Sequence, residues 1–157
     1  MERTWPARIL VVSDGVADGT REDRSGPLLR ERLQLARFTV DAVTVSADGV
    51  VAVASALAEL AADLNGLVLT TGGTGFGPRD LTPEATRSVI EREAPGLAEA
   101  MRLVNPLGRL SRGVAGTIGA ALVLNLPGSP AGAVECLEAV LDVVPHALQL
   151  LAAGRPH

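Results

Sequence analysis

The sequence predicts an α/β domain, a three-layer sandwich with a mostly parallel sheet, helices on both faces and one short antiparallel strand. Three observations predict it. Apolar, β-branched runs alternate with helix-length segments, the pattern of strand-helix-strand units. Two of those runs, Leu67 to Thr71 and Ala121 to Leu126, are mostly apolar, as strands buried on both faces require. Hydrophobic residues make up 47% of the chain but aromatics only 2%, so the core is built from Ala, Val, Leu and Ile. The length of 157 residues fits one domain, 1–157.

The elements follow in order. Arg8 to Ser13 is the first strand and stops at Ser13-Asp14-Gly15, before a polar loop that reaches Arg24. Ser25 is placed to cap a helix that begins near Pro27 and runs through Leu28, Leu29, Leu33 and Leu35. Phe38 to Val45 alternates apolar and polar residues and reads as a second strand. Val51 to Leu64 reads as a long helix stopped by Asn65-Gly66. It is apolar over much of its circumference, so it is either deeply covered or forms a subunit contact. Leu67 to Thr71 is the third strand. Thr82 is expected to cap the next helix, with Pro83 in its first turn, Glu84 near its positive end and Pro95-Gly96 as its stop. Arg87, Glu91, Arg92 and Glu93 read as a solvated face of that helix. A helix from Leu97 to Val104 follows, then a short strand from Val114 to Ile118 turning at Gly119, then the apolar strand Ala121 to Leu126. Helices carry the chain to Leu151 with a kink or restart at Pro145, and Gly154 onward reads as a disordered tail.

Composition excludes several function classes. The net charge is −4, the 14 basic residues are all arginines, and no basic block exists, which argues against nucleic acid as a partner. A chain without lysine has no P-loop, which needs Gly-Lys-Ser or Gly-Lys-Thr. Cys136 is the single cysteine, so there is no intrachain disulfide, and it reads as a core residue. His146 and His157 stand alone, with no partner at metal-ligand spacing. The sequence shows neither a secretory leader nor an apolar span of membrane length, and a soluble cytoplasmic protein without membrane association is the expectation.

The chemistry concentrates in loops that a parallel sheet gathers at one edge. These are Ser13-Asp14-Gly15, Asp48-Gly49, Thr71 to Asp80, and Asn125-Leu126-Pro127-Gly128-Ser129. The third holds four glycines within six residues (Gly72, Gly73, Gly75 and Gly77), so its backbone can turn freely and approach a ligand. Successive N–H groups in such a loop cradle phosphate, and aspartates hold Mg²⁺ beside it. Arg79 or Arg112 has the fork to pair with a phosphate. The dinucleotide fingerprint Gly-x-Gly-x-x-Gly is not matched, because Pro78 stands where the third glycine should fall. Asp48 and Asp80 taken singly also fit turn or cap positions, and Ser111-Arg112 fits an ordinary loop.

Several motifs together resemble one family. Thr71-Gly72-Gly73-Thr74-Gly75 followed by Arg79-Asp80-Leu81-Thr82-Pro83-Glu84-Ala85-Thr86 resembles the molybdopterin adenylyltransferases, which include bacterial MogA and MoaB and the G domains of gephyrin. Asp23-Arg24-Ser25-Gly26-Pro27, Leu110-Ser111-Arg112 and Leu124-Asn125-Leu126-Pro127-Gly128-Ser129-Pro130 match further family segments in the right order, with Glu135-Cys136 following. The resemblance covers nearly the whole chain. It implies molybdenum cofactor biosynthesis: Mg-ATP donates AMP to the terminal phosphate of molybdopterin, and pyrophosphate leaves. It implies magnesium binding and catalysis at Asp48 and Asp80. It implies nucleotide or pterin binding by Ser13, Asp14, Gly72, Gly73, Thr74, Gly75, Ser111, Arg112, Asn125, Pro127, Gly128 and Ser129. The family often has proline before the first of the two aspartates, and Ala47 stands there instead. The implied cofactor is Mg²⁺ with ATP as co-substrate. The implied partners are molybdopterin, a separate molybdate-insertion protein and further copies of the chain in a trimer or hexamer. The alternative is a MoaB-like protein that binds molybdopterin without efficient transfer. An unrelated nucleotide-binding α/β protein leaves the Asn125-Leu126-Pro127-Gly128 match unexplained.

Overall fold

A computed structural model describes residues 3–153; the expected tail from Gly154 and His157 lie outside the described residues. Six strands form one sheet: β1 (Trp5–Val12), β2 (Phe38–Ser46), β3 (Leu67–Thr71), β4 (Arg92–Glu93), β5 (Ala115–Ile118) and β6 (Ala121–Leu126). Their order is β2-β1-β3-β6-β5-β4. The first four in that order run parallel, whereas β5 and β4 pair antiparallel at the far side. The helices are α1 (Asp14–Asp18), α2 (Ser25–Leu35), α3 (Val50–Ala61), α4 (Thr82–Val89), α5 (Pro95–Arg102), α6 (Pro130–Val140) and α7 (Val144–Ala153), with a 3-10 turn at Pro106–Leu110.

The layers follow from which side of each strand is apolar. Ile9, Val11, Leu67, Leu69, Leu122 and Leu124 point to one face and pack against Leu29 and Leu33 of α2, Met101 of α5, Leu137 of α6 and Leu148 of α7. Leu10, Val12, Val68, Ala121 and Val123 point to the other face, under Val53, Leu57 and Ala61 of α3 and Ala85 of α4. β3 and β6 are buried at every position, and both coincide with the apolar runs read from the sequence. β2 lies at the sheet edge, and a register shift against Ala7/Arg8 leaves Asp41 as an extra residue that pairs with Arg8 at 3.0 Å.

Several local expectations are corrected. The loop after β1 contains α1, capped by Ser13, whose hydroxyl accepts from the Val16 N–H at 3.2 Å. Ser25 lies inside α2 instead of capping it; its hydroxyl donates to the Gly128 carbonyl at 2.9 Å, while Asp23 accepts from the Gly26 N–H. α3 ends at Ala61, three residues before the expected end at Leu64, and the left-handed turn falls on Asp63 (φ 53°). Only its inner face is buried, and Val51 on the outside is 83% exposed. Thr82 opens α4 without capping it, because its hydroxyl donates to the Gly72 carbonyl at 2.9 Å. Pro95 starts α5 and does not end α4. Arg92 and Glu93 form β4 instead of a helix face, and Glu93 pairs with Arg87 across the turn at 3.2 Å. Pro145 does restart the chain as α7, after a bend of 60° from α6. Among the described residues no single helix is long and apolar enough to cross a membrane.

Candidate functional site

β1 lies between β2 and β3, so the chain leaves β1 in one direction and later returns to its other side. That reversal opens a crevice beyond the carboxyl ends of the strands. Ser13, Asp48, Gly72 and Pro127 follow the ends of β1, β2, β3 and β6 there, so the four loops singled out in the sequence do meet at one edge.

Two cavities occupy this edge. One of ≈ 470 Å³ is lined by Gly73, Thr74, Gly75 and Asp80, by Ser111, Asn125, Pro127, Gly128 and Ser129, and by an apolar side that includes Met101, Leu107, Leu110 and Cys136. The other, of ≈ 460 Å³, is lined by Ser13, Asp48, Thr71, Gly72, Gly73, Asp80 and Gly128 together with Arg21, Glu22, Asp23 and Arg24. Gly73, Asp80 and Gly128 belong to both, so they form a shared wall. Each cavity is of small-molecule size. Of the residues the resemblance implied, only Asp14 and Arg112 line neither.

The glycine loop is held open by its own geometry. Gly72 and Gly73 adopt φ of 105° and 71°, conformations that side chains rarely take. A Cβ on Gly73 would strike the Thr82 hydroxyl and lie 3.1 Å from Asp48 Oδ1. The Gly72 N–H donates to the Leu126 carbonyl and the Thr82 N–H to the Gly73 carbonyl. Among the described residues the N–H groups of Gly73, Thr74 and Gly75 donate to no protein acceptor. They are the bare donors an anion cradle needs.

The aspartates divide by what their oxygens do. Asp48 Oδ2 accepts from the Asp14 N–H at 2.9 Å, and Asp14 Oδ1 accepts from the Asp48 N–H at 3.0 Å. Arg79 grips both oxygens of Asp14 at 3.0 Å and donates to the Asp48 carbonyl at 2.9 Å. Asp80 Oδ2 accepts from the Gly77 N–H at 2.9 Å. One oxygen each of Asp48 and Asp80 therefore accepts no protein hydrogen bond among the described residues. Burial pushes the Asp48 carboxyl above the usual carboxylate value, and the charges of Asp14 and Asp80 add to this against the Asp14 hydrogen bond. The Arg79 hydrogen bonds hold Asp14 below it.

Two predicted residues serve the scaffold. Arg112 donates to the Gly75 and Asp80 carbonyls at 2.8 and 2.6 Å and pairs with Glu84 at 2.7 Å, which also lowers the Glu84 pKa. The Asn125 side chain is 2% exposed; it donates to the Thr70 and Thr86 hydroxyls and accepts from the Val114 N–H. Its amide thus ties β6 to β3, α4 and the start of β5. Sequence reasoning missed the Arg79 clamp on Asp14, the Thr82 stitch and the apolar cavity side. Those contacts span 65, 10 and about 30 to 60 residues, beyond any local pattern.

Asp48 and Asp80 offer hard oxygen donors at the edge of a run of bare N–H groups, which suits Mg²⁺ shared with phosphates. No group of three or more His, Cys, Asp or Glu side chains converges as a protein-only metal cage among the described residues. The donor set fits an ion that completes its shell with phosphate and water.

A family model described as a probable molybdopterin binding domain matches residues 8–146. The structure of the molybdopterin biosynthesis enzyme MoaB from Thermus thermophilus is similar at a TM-score of 0.90 and 49% identity, covering 98% of this chain and 99% of that one. A molybdopterin adenylyltransferase of Helicobacter pylori J99 is 36% identical over 152 residues, 91% of this chain and 85% of the relative. A molybdenum cofactor biosynthesis bifunctional protein of Chlorobaculum tepidum is 37% identical over 147 residues, and the chain spans 47% of its length. A match over most of the sequence, with the same sandwich in three dimensions, is decisive: the chain belongs to the molybdopterin-binding domain family of molybdenum cofactor biosynthesis.

Proposed function

We propose that this protein transfers AMP from Mg-ATP to the terminal phosphate of molybdopterin. A molybdopterin phosphate oxygen attacks the α-phosphorus of ATP, the bond to the β-phosphate oxygen breaks, and pyrophosphate leaves. The observation that carries this reading is the shared wall. Two small-molecule cavities adjoin at Gly73, Asp80 and Gly128, so two substrates have room to bring their phosphates together there. The name of the H. pylori relative, a molybdopterin adenylyltransferase, supports the same assignment, and that of the Thermus neighbour supports the broader one, molybdopterin biosynthesis.

The chain's own groups have distinct roles. The N–H groups of Gly73, Thr74 and Gly75 bind phosphate oxygens in place of water. Asp48 and Asp80 hold Mg²⁺ through their uncommitted oxygens. The ion, when bound, neutralises charge on the phosphates and on the leaving pyrophosphate. Ser13, Ser111, Pro127 and Ser129 shape the cavity walls. Asp14 acts through Asp48, and Arg112 and Asn125 act by holding the loops. The product passes to a separate molybdate-insertion protein, and the protein works in the cytoplasm as a homo-oligomer, a trimer or hexamer.

The test is to incubate purified protein with Mg-ATP and molybdopterin and to measure adenylyl-molybdopterin and pyrophosphate. Product in equal amounts, abolished by chelating the metal, is the expected result. Tight molybdopterin binding with no product would instead support a binding protein without efficient transfer.

A further inference from the structure

We propose that Arg79 is a positioning residue that fixes Asp48 and Asp80 relative to one another. The inference rests on the metal reading of those two aspartates given above.

Three loops meet at this point, following β1, β2 and β3. Asp14 and Asp48 exchange hydrogen bonds between backbone N–H and carboxylate in both directions, at 2.9 and 3.0 Å. That exchange joins the first two loops and fixes the plane of the Asp48 carboxylate. Arg79 closes the ring from the third loop. Its Nε and one terminal nitrogen take the two Asp14 oxygens at 3.0 Å each, and the same terminal nitrogen reaches the Asp48 carbonyl at 2.9 Å. Both Asp14 oxygens already accept from Arg79 and Asp14 lines neither cavity, so its part here is to orient its neighbour. Asp48 is left with Oδ1, beside Gly73.

Arg79 directly precedes Asp80. Asp80 is itself braced, since its carboxylate accepts from the Gly77 N–H at 2.9 Å and its carbonyl accepts from Arg112 at 2.6 Å. Anchoring Arg79 to the Asp14–Asp48 pair therefore anchors Asp80 to Asp48. A two-point planar fork is needed for this, and a lysine ammonium lacks it.

The sign of one measurement separates positioning from charge. Arg79 places a positive charge near a cation site. By Coulomb's law alone, removing it tightens binding of a divalent ion. Positioning predicts the opposite. The probe is Mn²⁺, titrated by electron paramagnetic resonance alone and with ATP, against wild type, Arg79→Ala and Arg79→Lys. Amide hydrogen exchange at Asp14 and Asp48 is followed in the metal-free protein.

Both variants are expected to bind Mn²⁺ about tenfold more weakly, with faster exchange at both amides, because each loses the fork. The Arg79–Asp14 pair is exposed, with side chains 61% and 45% accessible, so melting is expected to shift by no more than about 3 °C. Wild-type binding with equal or tighter binding by Arg79→Ala overturns the proposal alone. Full recovery by Arg79→Lys also overturns it, because charge would then suffice. Absence of Mn²⁺ binding by wild type under both conditions contradicts the metal assignment itself, and the proposal falls with it.

Discussion

At Asp48, burial and two neighbouring carboxylates act on one group whose proposed role, holding a cation, requires it to be ionised. Its folded-state pKa is raised, so the folded protein holds this proton more tightly than the unfolded chain does. Ionising Asp48 therefore costs stability, and the cost appears as pH rises from the ordinary value of 3.8 through the raised one. Asp48→Asn keeps an oxygen for the Asp14 N–H and removes the charge. It is expected to raise Tm at pH 7 by about 2 °C while adenylyl transfer falls. An unchanged or lower Tm by calorimetry would show that repulsion at this site is already relieved. The same shift sets the acid limit of metal binding. Mn²⁺ affinity should begin to fall at a pH above that of an ordinary aspartate, because Asp48 holds its proton up to a higher pH. The sequence singled out Asp80 through the glycine-rich motif around it and Asp48 through its place in the loop after the second strand, and the structure brings both to one cavity. Arg79 was legible only as a cation available to phosphate; its commitment to Asp14, 65 residues away, leaves no local trace.

The strands were read best where burial on both faces leaves no choice of residue. β3 and β6 are mostly apolar, bounded by Gly66 and Gly72 or by Gly119 and Pro127, and their ends were placed to the residue. β4 was missed because two exposed polar residues carry no pattern; it exists because the free edge of β5 pairs with it. Helix starts failed where a hydroxyl found a better acceptor than its own helix, as Thr82 does at Gly72 and Ser25 at Gly128. At this scale Asn125 is the critical joint, since one buried amide satisfies a backbone N–H and two hydroxyls across four elements. Asn125→Ala strands the Val114 N–H and leaves a cavity, at an expected cost of about 3 kcal/mol. Thermal melting should drop by about 10 °C, with faster amide exchange at Val114. A loss under about 1 kcal/mol would mean that water replaces the amide at no cost.

For the molecule as a whole, alternating strands and helices foretold the three layers and the edge where loops gather. The division of that edge into two adjoining cavities was not foretold, because it depends on how α5 and the 3-10 turn close over the glycine loop. The outer side of α3 remains an exposed surface of small and apolar residues around Val51, and the sequence reading of a subunit contact stays open to direct measurement. Light scattering at micromolar concentration is expected to give a multiple of 16.1 kDa, three or six; a single chain's mass would remove the oligomer from the account. The central claim is that Asp80, on the wall both cavities share, serves the transfer step. The direct measurement compares wild type and Asp80→Asn for molybdopterin binding and for adenylyl-molybdopterin formed from Mg-ATP. The account predicts binding within a fewfold of wild type and a rate reduced by about 10²-fold or more. Product formed by Asp80→Asn at the wild-type rate would contradict it.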